Sequence, residues 1–286
     1  YFGWRNKVLG IVTIVSSFAA GSILFIFKNN ILRGFLIIFS LAAICRFTSW
    51  YFLTQMYEPP LRLKRESYFS VWDFVRRARE SNFAKFVIFA ASLAFSVSLS
   101  SPFFSVFMLR DLKFNYLTYT SLIITVSLTQ IFLIDRWGRR ADKFGNIKII
   151  KFTSLFIAGL PFCWIINHNP FYLGFIQVLS GFAWAGYNLC AINFIYDAVS
   201  AEKRTRCIAF FSSFVGIATC LGALAGGFLA NMLPHLFGYK LLSLFLISSI
   251  LRFFVAAFLF PKVKEVRATE RISHKELFYS VIGIKK

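Results

Sequence analysis

The chain has 286 residues, of which 58% are hydrophobic and 15% charged, with a mean hydropathy of +0.66. Soluble domains carry about 25% charged and about 45–50% apolar residues, so a water-soluble globule, a disordered chain and a disulfide scaffold are excluded, and lipid is the solvent that fits. A net charge of +20 would suggest nucleic acid in a soluble protein, but here the basic residues lie between long apolar runs on alternate sides, the pattern of membrane topology.

Eight segments are long and apolar enough to cross a bilayer core, which takes about 20 helical residues. They are 8–27, 34–53, 83–109, 116–134, 149–166, 171–196, 207–233 and 241–260. With the N-terminus inside, 25 basic residues fall in inner segments and 5 in outer loops. This asymmetry predicts both termini on the cytoplasmic side of a cell (inner) membrane. The first span lacks a polar cleavage region and is not a signal peptide.

In chain order, 1–53 holds two spans, with Arg46 inside the second. A 54–82 linker follows, with Pro59-Pro60 and a basic stretch at 68–79. It reads either as an amphipathic segment on the inner surface or as a solvated charged loop. The third span places Ser92, Ser96 and Ser100 on one face ahead of Pro102, and the fourth aligns Thr118, Ser121, Thr125 and Thr129. Small hydroxyl residues at such spacing serve packing or line a cavity.

An inner loop over 135–148 reads D-R-W-G-R-R-A-D-K-F-G-N-I-K. It contains Gly138, Asp142, Lys143, Gly145 and Lys148 in a G-x-x-x-D-K-x-G-x-x-K pattern. Glycines there allow a tight turn, and an Asp can pair with a neighbouring helix end or an arginine. In the fifth span Pro161, like Pro102, is expected to kink its helix and leave a carbonyl for neighbours to satisfy. The sixth span carries Gln177, Gly181, Trp184 and Asn188 on one face, with Tyr187 beside it. This stripe reads either as the lining of a cavity for a polar organic solute or as interhelical contact. In the seventh, Gly222-x-x-x-Gly226 predicts close helix approach. The eighth holds Arg252, and residues 261–286 form a basic tail. Apart from Lys85 and Lys151 at the inner ends of their spans, Arg46 and Arg252 are the only charges within the spans, and both are expected to reach toward the inner interface and act structurally rather than in substrate binding. No Asp or Glu lies within a span. The five cysteines sit in or at the ends of apolar runs without C-x-x-C spacing, and the three histidines are scattered. No metal, cofactor or catalytic constellation is read, so no enzyme is expected.

The chain also repeats. At an offset of 206, Gly10, Ile11, Thr13, Ala19 and Gly21 overlay Gly216, Ile217, Thr219, Ala225 and Gly227. With no gap, Phe39, Ile44, Arg46 and Phe47 overlay Phe245, Ile250, Arg252 and Phe253. The first two spans therefore match the last two in parallel, a known plan for transporters built of six-helix halves. On that plan four helices preceding Tyr1 are expected, and residues 83–260 form a complete second half.

The 138–148 pattern resembles the signature loop of the major facilitator superfamily, which joins the second and third helices of each half. One basic position of the usual pattern is Ile147 here, and 135–140 offers a second, shifted register without the leading glycine. Residues 83–113, 184–188 and 216–227 also look like the second half of bacterial members. The resemblance implies an all-α integral membrane bundle of the major facilitator type, with eight of twelve helices present. It implies that the loop latches one conformational state, with Asp142 as its acid. It further implies secondary transport of a small organic solute by alternating access, with lipid, the solute and a coupling ion as partners. The rival expectation is a non-transporting sensor or scaffold on the same fold.

Overall fold

The computed structural model describes residues 2–57, 81–266, 276–278 and 281. The linker with Pro59-Pro60 and its basic stretch, and most of the tail, lie outside the described residues. Among those described there is no strand, only an isolated bridge between Leu236 and Tyr239.

Among the described residues nine α-helices make the eight spans. They are α1 (Phe2–Ile26), α2 (Ile31–Thr54), α3 (Asn82–Ser98), α4 (Ser101–Val106), α5 (Tyr116–Phe144), α6 (Asn146–Ile166), α7 (Pro170–Ala198), α8 (Ala201–Met232) and α9 (Lys240–Phe258). The third span is α3 and α4 in series, followed by a π-helical turn at Phe107–Asp111. It breaks at Leu99–Ser100, where Pro102 enters the first turn of α4 without an N–H to give. Four of the described helix starts carry a side-chain cap, that of α2 from Asn30. Ser81, Asn115 and Asn169 accept from the N–H groups of Ala84, Thr118 and Phe171. Two reciprocal bonds tie the start of α3 to the segment after α9: Asn82 Nδ2 donates to the Lys264 carbonyl at 2.7 Å, and Lys264 N–H donates to Asn82 Oδ1 at 2.8 Å.

Lipid gives no hydrophobic drive between helices, so backbone approach and polar contacts decide which helices pair. The pairs are α5 with α7, α3 with α8, α6 with α7 and α9, and α1 with α5. Gly222 and Gly226 of α8 lie against the carbonyls of Phe95 and Leu99, so close that a Cβ on either glycine would collide with backbone. The G-x-x-x-G pair is therefore the contact that seats α8 on α3. Gly186 of α7 admits the Trp137 ring of α5: a Cβ there would lie 2.8 Å from it. Trp137 is fully buried and donates its indole N–H to the Phe182 carbonyl at 3.0 Å.

Both copies of the repeat form helices, and they use different faces. Gly21 of α1 lies against Thr120 of α5, and Gly10 faces Ile131, whose Cδ1 a Cβ would meet at 2.6 Å. Their counterparts in α8 are bare: a Cβ on Gly216 meets nothing within 4 Å, and one on Gly227 meets only Phe103 at 4.0 Å. In α3 through α9 the buried residues form two apolar clusters at opposite ends of the spans. One holds Phe86, Phe89, Trp137, Ile149 and Phe194, and the other holds Leu99, Phe107, Trp164, Leu173 and Phe245.

Candidate functional site

Between the two apolar clusters lies a polar waist. Ser96, Gln177, Ser248, Ser249 and Arg252 are all buried there. The helices themselves position these groups: Ser248 and Arg252 are four residues apart on α9 and so share a face.

Arg252 organises the waist. Its Nε donates to Ser248 Oγ at 3.1 Å, and its Nη1 donates to the Ile157 carbonyl at 3.0 Å. Its Nη2 donates to Ser100 Oγ at 2.8 Å and to the Val97 carbonyl at 3.3 Å. The Ser248 hydroxyl donates to the Ser96 carbonyl at 2.7 Å. A hydroxyl has one proton, so in the 2.9 Å contact between Ser100 and Ser248 the donor is Ser100. Ser249 adds a bond at 2.6 Å to the Ala158 carbonyl. α9 is thus laced to the break in the third span and to the part of α6 that precedes Pro161. Ile157 lies four residues before Pro161, which has no N–H for that carbonyl, and Arg252 supplies the missing donor.

This placement corrects the expected position of Arg252. It does not reach out along its helix to the interface. It is 3% exposed, near the middle of the eighth span. Snorkelling is unnecessary because two backbone carbonyls and two hydroxyls engage four of the five guanidinium N–H groups in place. Its repeat partner Arg46 is exposed on α2, and α1 is the neighbour of that helix among the described residues.

A cavity of about 300 Å³ opens beside the guanidinium. Its walls include Ser101, Trp164, Gln177, Ser180, Trp184 and Arg252. The sixth-span stripe divides at this level. Gln177 and Trp184 line the cavity, while Gly181 is packing, because a Cβ there would lie 2.6 Å from the Val126 carbonyl of α5. Tyr187 is buried in edge contact with Trp184, ring centres 5.6 Å apart, and Asn188 is exposed. Ser96 and Ser100 are fully buried in the Arg252 network. The hydroxyls of Thr125 and Thr129 bond back to carbonyls one turn earlier in α5. The sequence reading passed over Ser248, Ser249, Trp164 and Ser180. The available signal was Ser248 one turn before Arg252, together with a proline four residues after Ile157.

The motif region also departs from expectation. It is not a loop: α5 runs unbroken through Phe144, and α6 starts at Asn146. Arg, Ala, Asp and Lys are tolerated in helices, so the charged stretch continues the span into water. Gly145 alone makes the turn, with φ +88° and ψ 156°, a conformation essentially confined to glycine. Gly138 sits inside the helix, where a Cβ would meet only Leu189 at an ordinary 3.8 Å. Asp142 and Lys143 are exposed on the last turn of α5, and Lys148 lies half-buried on the first turn of α6. Ile147, the departure from the usual pattern, is buried, and its N–H donates to Glu265 Oε2 at 2.8 Å. Asn146 Nδ2 donates to Asp197 Oδ2 at 2.8 Å, joining the α5–α6 turn to the end of α7. Among the described residues no group of His, Cys, Asp or Glu could hold a metal ion, and Cys45, Cys163, Cys190, Cys207 and Cys220 are all free.

Comparison with known proteins agrees with this architecture. The Major Facilitator Superfamily profile matches residues 86–282. The multi-drug resistance efflux pump PmrA of Streptococcus pneumoniae is 30% identical over 197 residues, covering 65% of this chain and 47% of that protein. The class H tetracycline resistance protein of Pasteurella multocida is 27% identical over 139 residues, covering 47% of this chain and 34% of that protein. The match thus spans about half or less of the length of these relatives. No solved structure matches the chain. Eight helical spans fit to cross a bilayer among the described residues make it a multi-pass membrane protein, and the relatives point to a transporter rather than an enzyme. With a profile match across most of its length and a strand-free bundle of spanning helices, the chain belongs to the major facilitator superfamily.

Proposed function

We propose that the chain is the larger part of a secondary active transporter that moves a small organic solute by alternating access. The observation that carries this reading is the polar waist between two apolar clusters, with a cavity that opens from Arg252 toward the cluster of Leu99, Phe107 and Trp164. Transporters of this plan hold solute near the midplane and rock their halves around it. The bare face of α8 fits packing against the remaining helices of the first half. α8 leaves Gly216 and Gly227 open, while α1 uses the corresponding Gly10 and Gly21 to pack on α5. On this reading α1 and α2 are the last helices of the first half, residues 54–82 are the linker, and 83–260 form the second half. Both termini face the cytoplasm across an inner membrane, because basic residues concentrate on that side.

The α5–α6 turn is the latch in this scheme. Asp142 stands on the last turn of α5 beside the single-residue hinge at Gly145. The test is flux in proteoliposomes with tetracycline and, separately, 2-naphthoate as probes. Saturable, gradient-dependent flux of either, with turnover altered by Asp142→Asn at unchanged membrane insertion, is the expected result. Absence of flux for both probes in the intact protein would favour a sensor or scaffold.

A further inference from the structure

We propose that the waist cavity is a binding site for an aromatic organic anion, whose carboxylate meets the Arg252 guanidinium and whose ring lies between Trp164 and Trp184. Calling that anion the substrate rests on the transport reading above; the binding site itself does not.

The first argument is charge. Arg252 is the one charged residue among the cavity walls, and it is 3% exposed. Its protein partners are two backbone carbonyls and two serine hydroxyls, all neutral. A cation held at membrane depth among dipoles alone favours a ligand that brings the opposite charge. The same charge disfavours organic cations in this cavity.

The second argument is the supply of free donors. A guanidinium has five N–H groups. The four bonds above use one on Nε, one on Nη1 and two on Nη2, so one Nη1 N–H is left on a residue that lines the cavity. Gln177 is 7% exposed, lines the same cavity, and makes no hydrogen bond among the described residues. Its amide atoms are not sealed off from the cavity, so they are within reach of a molecule that enters it. The Ser180 hydroxyl is likewise without a partner among the described residues. An arginine, an amide and a hydroxyl are the donor set that a carboxylate accepts from.

The third argument is shape. About 300 Å³ lies at the small end of ligand cavities, which run from about 300 to about 1,000 Å³. Phe104, Trp164 and Trp184 supply flat apolar walls. One or two fused rings carrying a carboxylate fit that volume and that division between a polar and an aromatic end.

The test is equilibrium dialysis of the purified protein in detergent against 2-naphthoate, with 2-naphthamide, acetate and chloride as competitors. The expected result is saturable binding of one naphthoate per chain, at least about tenfold tighter than the amide, as loss of one charged hydrogen-bond partner implies. Acetate and chloride should compete weakly. Arg252→Gln should lower affinity by about tenfold or more, with Arg252→Lys in between. Because Arg252 also ties helices together, Gln177→Leu serves as the second variant. It breaks no protein hydrogen bond, so weaker naphthoate binding at unchanged melting temperature supports the site. Equal binding of naphthoate and naphthamide overturns the proposal, as does binding that neither substitution changes. Displacement by chloride as readily as by naphthoate shows an inorganic anion site and also overturns it. Tetracycline flux without naphthoate binding sinks the anion site and spares the transporter. Naphthoate binding without flux of any probe does the reverse.

Discussion

Arg252 Nη1 donates at 3.0 Å to the carbonyl of Ile157, the carbonyl left without its helical donor by Pro161. Two anomalies for a membrane interior, a charged side chain and a broken helical bond, thus satisfy each other across α9 and α6. The neighbouring bonds from Ser248 and Ser249 run in the same direction, from α9 outward to backbone carbonyls of α3 and α6. Side-chain donors on one helix serve backbone carbonyls of two proline-containing spans, as lipid requires of any backbone group at that depth.

The two anomalies should therefore be thermodynamically coupled. Arg252→Met removes bonds to α6 and to the α3–α4 break, and interhelical bonds in membranes average about 0.6 kcal/mol with a maximum near 1.7. A loss of about 2 kcal/mol is expected. In Pro161→Ala the restored N–H at residue 161 can serve Ile157, so the same Arg252→Met change should cost about 1 kcal/mol less. A double-mutant cycle on unfolding free energy measures this. Strict additivity would show that the Ile157 bond carries no stability.

Glycines of α8 should divide into two kinds. Gly222→Ala and Gly226→Ala drive a methyl into the carbonyls of Phe95 and Leu99. Rigid backbone cannot give way cheaply, so each should lose about 1–3 kcal/mol. Gly216→Ala meets nothing and gains helix propensity, so it should be neutral or more stable by up to about 1 kcal/mol. Melting temperatures of the three variants decide. If Gly216→Ala is as damaging as Gly222→Ala, the open face of α8 is covered in the working protein.

Of the two motif glycines, only Gly145 is conformationally required. Gly145→Ala forces φ +88° on an L side chain and should cost about 1–3 kcal/mol, loosening the α5–α6 turn. Gly138→Ala keeps helical geometry and meets only Leu189 at 3.8 Å, so stability should hold or rise. Thermal stability and solute flux should fall together for Gly145→Ala and for neither in Gly138→Ala.

Topology can be read by single-cysteine labelling in a background without the five native thiols. Lys113→Cys, between the third and fourth spans, should react with a membrane-impermeant maleimide in intact cells. Lys203→Cys, at the start of α8, should react only after permeabilisation. The opposite pattern would reverse the orientation drawn from the basic residues.

The sequence by itself determined the membrane class, the number of spans and the close approach at Gly222 and Gly226. These follow from local rules: about 20 apolar residues cross a bilayer, and small residues four apart present one smooth face. It also located the prolines whose carbonyls would need help. The extent of α5 was not legible, because a charged stretch of Arg, Ala, Asp and Lys is helical or loop according to what it packs on, and Trp137 anchors it from the core. The fate of the sixth-span stripe was not legible either. Gln177 and Asn188 share a helical face, yet neighbours cover the first and leave the second exposed. Arg46 and Arg252 occupy equivalent repeat positions, yet one is exposed and the other buried. Only tertiary structure decides such cases, because all the partners of Arg252 but Ser248 come from other spans, at residues 97, 100 and 157. A helical period specifies which way a side chain points, and the fold specifies what it meets there.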